Sequence, residues 1–189
     1  MEVQDAARDA VAWYVRHGFY GSEDIAIIVG ESVPCGDEVL DPDWLYEVIW
    51  GSVQQKRDEE ETWPAVTDCD RLDAVFQRLE SAAVLTLADG GHPEDARRSV
   101  FEAYEDDGGV ESGFDGYCYY GDLDIKYAFS TGELSLACGA YDAGEAKAAE
   151  VGRRVKAAFE GAGFVAEWYD TVPTGLVLKP FAWQRRMPR

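Results

Sequence analysis

Apolar positions in the first third of the chain recur at helical spacing. Val3, Ala7, Ala10, Val11 and Tyr14 form one stripe that stops at Gly18, which predicts a first helix closed by a glycine. Ser22 is placed to cap a second helix, with Glu23 and Asp24 at the positive end of its dipole and Ile25, Ile28 and Val29 on its apolar face. Gly30, Pro34 and Gly36 end that segment. Asp41-Pro42 supplies a cap and a first-turn proline for a third helix, along which Leu45, Val48, Ile49 and Val53 run toward Lys56. The acidic run Asp58-Glu59-Glu60-Glu61 and then Trp63-Pro64 break the pattern, because proline lacks an N–H and drives the residue before it toward an extended conformation.

Beyond Pro64 the period changes. Thr67 is placed to cap a helix with Asp70 three residues on, and Leu72, Val75, Phe76 and Leu79 follow on one face. The apolar run Ala83 to Ala88 reads as a buried strand turning at Asp89-Gly90-Gly91, and Pro93 opens a helix carrying Ala96, Val100, Ala103 and Tyr104. Asp106-Asp107-Gly108-Gly109 closes it into an acidic loop. Tyr117 to Tyr120 is dense in aromatic strand formers, and Asp122 caps a brief helix with Leu123, Ile125 and Ala128. Leu134, Leu136 and Cys138 alternate with Ser135 and Ala137, so Glu133 to Ala140 reads as a strand with one face against the core. Asp142 with Glu145 repeats the capping arrangement ahead of Val151, Val155, Ala158 and Phe159. After Gly161, Phe164 to Tyr169 and Leu176 to Lys179 read as a closing hairpin.

The expected fold is therefore α+β or α/β. A three-helix N-terminal appendage over residues 1–62 precedes a layered body over 63–189, with a small mixed sheet of about five strands flanked by helices. Its 189 residues suffice to bury a core, and 47% apolar content with six Trp, ten Tyr and eight Phe is too rich for a disordered chain. No apolar run approaches a membrane span, and the start Met1-Glu2-Val3-Gln4-Asp5 reads as neither a secretory signal nor a transit peptide, so the expected compartment is the cytoplasm.

Charge narrows the partners. Residues 1–66 carry 15 acids and 4 bases, residues 67–140 carry 16 and 5, and residues 141–189 carry 6 and 8, for a net charge of -20. Such a field repels phosphate backbones and anionic head groups, so no nucleic-acid or membrane partner is expected, whereas a basic protein or a cationic ligand is admitted. Solubility alone is the plain reading of the same acids.

Candidate chemistry is thin. Cysteines 35, 69, 118 and 138 include no Cys-x-x-Cys pair and read as buried thiols, and no metal site or other cofactor is expected. Cys118 lies just before the predicted helix start at Asp122, whose positive end lowers a thiol pKa, and of the two histidines that could serve as its base His17 lies in the helical appendage and His92 in a loop. Cys118, His92 and Asp122 are thus the catalytic candidates of a small enzyme, against a packed thiol. The loops around Asp89 and Asp95, and from Glu105 to Asp115, match no recognised cation spacing, and the Gly-Gly pairs match no phosphate cradle. Strand alternation cannot bury every aromatic, so Tyr117, Tyr119, Trp168 and Trp183 are candidate binding residues for a cationic or amphipathic partner. The expected role is an acidic binding or regulatory protein. An enzyme using Cys118 is the alternative, and a structural or oligomerisation module the third.

The order of Gly18-Phe19-Tyr20, Asp41 to Leu45, Thr62-Trp63-Pro64-Ala65-Val66-Thr67-Asp68-Cys69-Asp70-Arg71-Leu72-Asp73-Ala74, Gly116-Tyr117-Cys118, Trp168 and Trp183-Gln184-Arg185-Arg186 resembles an uncharacterised bacterial family, domain of unknown function number 6891. The likeness runs over nearly the whole chain, and the Trp-Pro to Leu-Asp-Ala block is its specific part. It implies no activity or ligand. This chain has Gly121 where the family pattern continues into a His, and Asp89-Gly90-Gly91-His92 where it often has Asn-Ala-Gly-Tyr. Such a His is not essential here, and a site using both loops would be altered or lost.

Overall fold

The three apolar stripes of the first third fold as α1 (Glu2–His17), α2 (Ser22–Ser32) and α3 (Pro42–Glu60). The computed structural model describes residues 2–33, 40–89, 91, 93–141, 144–169 and 175–188. The later elements are α4 (Asp68–Glu80), β1 (Val84–Leu87), α5 (Pro93–Asp106), β2 (Gly116–Tyr119), α6 (Asp122–Thr131), β3 (Leu134–Ala140), α7 (Glu145–Gly161), β4 (Ala166–Tyr169) and β5 (Gly175–Leu178). The protein is α+β, with three N-terminal helices and a mixed five-stranded sheet. Two compact units divide it: residues 1–67 with 184–189, and residues 68–183.

In the first unit Ala7, Val11 and Val15 of α1, Ile25 and Val29 of α2, and Leu45 and Ile49 of α3 bury one core with Met187. The basic C-terminal segment is fixed there by named bonds. Arg57 donates to the carbonyls of Met187 (3.3 Å) and Pro188 (2.9 Å), the Met187 N–H donates to Glu60 at 2.8 Å, and Arg186 donates to the Pro64 carbonyl at 2.7 Å. Gly18 has φ +81°, and a Cβ there would lie 2.5 Å from the Arg185 carbonyl oxygen, so the turn after α1 requires glycine twice over.

Two caps differ from the sequence reading. Gly21, not Ser22, is the N-cap of α2, and Gly121, not Asp122, that of α6. In both, the Asp three residues on accepts the glycine N–H: Asp24 from Gly21 at 3.2 Å and Asp124 from Gly121 at 2.9 Å. Glycine costs only a few tenths of a kcal/mol (about 0.3) relative to serine at an N-cap, so the reciprocal half of the capping box suffices. Asp41 caps α3 as expected, accepting from the Asp43 N–H at 3.0 Å ahead of Pro42. Gly30 does not stop α2, which runs to Ser32; Pro34, Gly36 and Asp142 lie outside the described residues.

In the second unit the strand order is β1-β2-β3-β5-β4, parallel between β1 and β2 and antiparallel elsewhere. Alternation assigns the two faces. Gly116 meets Val151 of α7 and Trp168 meets Gly152, so Gly116, Cys118 and Trp168 share the α7 face, where Phe159 packs on Phe76 of α4. Tyr117 and Tyr119 point the other way, toward Phe101 of α5.

Candidate functional site

Helix α5 forms because Ala96, Val100 and Tyr104, at intervals of four, bury one stripe. The next faces of the same helix carry Arg97, Arg98, Phe101, Glu102, Glu105 and Asp106, which line an open hollow of about 660 Å³. Phe101 ties this hollow to the sheet. Its ring lies 5.5 Å from Tyr117 and 5.2 Å, edge-on, from Tyr141. Tyr117 in turn lies 5.9 Å from Tyr119 and 5.4 Å from Tyr141, and Tyr141 stacks on Tyr104 at 3.7 Å. The Tyr141 hydroxyl donates to the Val100 carbonyl at 3.1 Å, fixing the ring that follows β3 to the helix above it.

Glycine makes the cluster possible. The Tyr117 hydroxyl lies 2.6 Å from where a Cβ of Gly139 would stand, so the ring lies flat across the neighbouring strand. Phe101, Tyr117, Tyr119 and Tyr141 are each half-buried, which leaves ring surface facing solvent. Burial pushes the Tyr117 phenol above its ordinary value, against the pull of Arg97; burial does the same for Tyr119, with Tyr117 and Asp124 adding and Arg97 opposing. Both phenols therefore stay protonated at neutral pH and can donate hydrogen bonds. Glu102, Glu105 and Asp106 are exposed along the C-terminal half of the helix, while Arg98 is paired with Asp95 and with Glu102 at 3.7 Å. The arrangement offers ring faces, phenol oxygens that can accept a hydrogen bond and carboxylates side by side, with Arg97 of the same helix already 6.0 Å over the Phe101 ring, which is chemistry for holding a cation.

Of the catalytic candidates Cys118, His92 and Asp122, the described residues include Cys118 and Asp122. Cys118 has no exposed surface, and burial, with Cys138 directly opposite on β3 adding to it, pushes its thiol well up. The thiolate that nucleophilic chemistry requires is thereby disfavoured. Asp122 starts α6 one residue behind the cap, with one carboxylate oxygen bonded to Lys126 at 3.1 Å and the other buried without a hydrogen-bond partner. His92 lies outside the described residues. His17, the other histidine, is buried in the first unit among Trp13, Tyr14, Phe19 and Tyr20. Among the described residues no group of three or more His, Cys, Asp or Glu side chains is arranged to hold a metal ion.

Of the four aromatic candidates, Tyr117 and Tyr119 stand together beneath α5. Trp168 is on the opposite face of the sheet, half-buried against Gly152, and Trp183 is 6% exposed among Tyr120, Phe129 and Phe181. Packing thus makes Trp183 part of the core. Phe101, Tyr141 and Arg97 were not legible as site residues. On a one-dimensional pattern Phe101 is an ordinary apolar position of a helix, and only the sheet register brings it over Tyr117.

No curated protein and no solved structure matches the chain. One family model does, over residues 1–187, and its description is Domain of unknown function (DUF6891). The order of motifs from Gly18 to Arg186 and this coverage lead to one conclusion: the chain belongs to the family Domain of unknown function (DUF6891).

Proposed function

We propose that this chain is an acidic binding protein, accessory or regulatory in role, whose α5 shelf receives a basic segment of another protein. The observation that carries the reading is the half-exposed ring cluster Phe101, Tyr117, Tyr119 and Tyr141 flanked by the exposed carboxylates Glu102, Glu105 and Asp106. A lysine or arginine side chain gains from a ring face and from neighbouring carboxylates together, and a net charge of -20 steers such a partner in. The same field disfavours nucleic acid. Among the described residues no helix is long and apolar enough to cross a membrane. The buried thiols of Cys69, Cys118 and Cys138 are compatible with a cytoplasmic setting. Catalysis by Cys118 is the weaker reading, since the thiol is buried and held protonated.

The test uses a labelled nona-arginine peptide. Its affinity is expected to fall at least tenfold between 50 and 300 mM NaCl, and roughly tenfold when Glu102, Glu105 and Asp106 are all changed to Lys, because exposed charge contacts contribute up to about 1 kcal/mol each. Reversal of Glu23, Glu31 and Glu61, exposed acids of the other unit, is the control. Equal losses for both triple variants would reduce the binding to net charge and sink the shelf.

A further inference from the structure

Strand β2 meets β3 with Cys118 directly opposite Cys138. The ladder decides which kind of pair they form. The Tyr141 N–H donates to the Asp115 carbonyl at 3.4 Å, so the pair just outside Gly116↔Ala140 is a hydrogen-bonded one. Hydrogen-bonded and non-hydrogen-bonded pairs alternate along antiparallel strands, which makes Tyr117↔Gly139 a bonded pair and Cys118↔Cys138 a non-bonded one. At a non-hydrogen-bonded pair the Cα atoms stand about 4.5 Å apart and the side chains lie on one face, closer than at the bonded pairs. A disulfide requires a Cα separation of roughly 4.4–6.8 Å, so this register position is one that an S–S bond can bridge with little movement of the strands.

Burial selects the reagent and the order of attack. Cys118 has no exposed surface and Cys138 keeps 3%. Both lie on the α7 face of the sheet, away from Tyr117 and Tyr119, so bulky thiol reagents are shut out. Hydrogen peroxide, little larger than water, is the oxidant that so nearly closed a site admits. The residual opening is at Cys138, which therefore meets the peroxide first. Cys118, whose thiol burial pushes well up, is the poorer first nucleophile and is held opposite for the second step. Cys69 is buried too, but it belongs to α4 and faces no cysteine across a ladder.

We infer that Cys118 and Cys138 are a peroxide-sensitive pair that closes into a disulfide across β2 and β3. The Cys138 sulfur attacks peroxide: an S–O bond forms, the O–O bond breaks and one water leaves, giving a sulfenic acid. The Cys118 sulfur then displaces that oxygen: the S–S bond forms, the S–O bond breaks and a second water leaves. Two thiols are oxidised and one peroxide is reduced to two waters. The new bond closes the loop that contains α6 and ties together the two strands beneath the α5 shelf, whether or not that shelf binds a partner.

The experiment uses the full chain with Cys35→Ser, reduced, freed of reductant and treated with hydrogen peroxide in native buffer. After alkylation in urea and proteolysis, mass spectrometry is expected to find the Cys118 and Cys138 peptides joined and Cys69 alkylated. The intact chain should lose two hydrogens, and dithiothreitol should restore them. Because the fold selects the pair, the ratio of this link to links that include Cys69 should be at least tenfold higher than in chain oxidised in urea. The oxidised chain should also unfold at a higher urea concentration than the reduced one. Under the same exposure Cys118→Ala should leave a dimedone-reactive sulfenic acid on Cys138, and Cys138→Ala should leave Cys118 a thiol. Absence of the link, an equal ratio in urea, or an oxidised chain no more stable than the reduced one would each overturn the inference, as would a sulfenic acid that forms on Cys118 instead.

Discussion

Single side chains here are governed by desolvation, and Asp124 gives the clearest case. Burial raises its pKa, the Gly121 N–H bond lowers it, and the charge of Asp122 raises it again, with a net upward shift from 3.8. A carboxyl whose folded pKa exceeds its unfolded one is penalised in the fold once ionised. The protein therefore loses stability as pH rises from the unfolded value through the folded one, and carries the deficit at neutral pH. Asp124→Asn keeps an oxygen to accept the Gly121 N–H and removes the charge. In urea titrations this variant should be more stable than wild type at pH 7, with the difference closing below about pH 4, where the unfolded carboxyl is itself protonated. A variant less stable at pH 7 would mean that the ionised carboxylate is worth more to the cap than its burial costs. Asp122 as a helix-start residue was legible from the sequence. The shift of its neighbour Asp124 was not, because it depends on what lies over the helix.

At the scale of elements, two glycines in helix interiors make opposite predictions. Gly152 of α7 faces Trp168, and a Cβ would lie 2.7 Å from its ring, so Gly152→Ala should destabilise by about 1–3 kcal/mol through overpacking. Gly51 of α3 has open space at the same position, so Gly51→Ala should stabilise by about 1 kcal/mol through helix propensity alone. Denaturant midpoints at constant slope measure both; a shared sign would show that propensity or packing dominates at both sites. The helices containing them were readable from apolar spacing, since 3.6-residue periodicity survives in a linear string. Which glycine lies under a ring depends on the register Trp168↔Leu176 and on α7 crossing that strand, and no local pattern encodes it.

Across the whole molecule, repulsion among the excess acids governs the response to salt. Asp115 is held by Lys147 at 2.8 Å and by Arg154, and although burial pushes its carboxyl up, the bonds from Arg154 and Lys147 outweigh it and keep the pKa below 3.8. Its contribution is present above the unfolded pKa and is lost as pH falls through the lowered one. With a net charge of -20, the melting temperature should rise between 20 and 300 mM NaCl as self-repulsion is screened. A fall would mean that ion pairs carry more stability than repulsion removes. The sequence by itself determined the helices, the strand pattern, the break at Trp63-Pro64, the acidic character and the family, because each is written in local spacing or composition. Only the tertiary structure decided that Cys118 is buried opposite Cys138, that Trp183 joins the core while Tyr117 meets Phe101, and that Met187 returns to the helical core. Those outcomes rest on strand register and on contacts between residues far apart in the chain, where burial and close packing act.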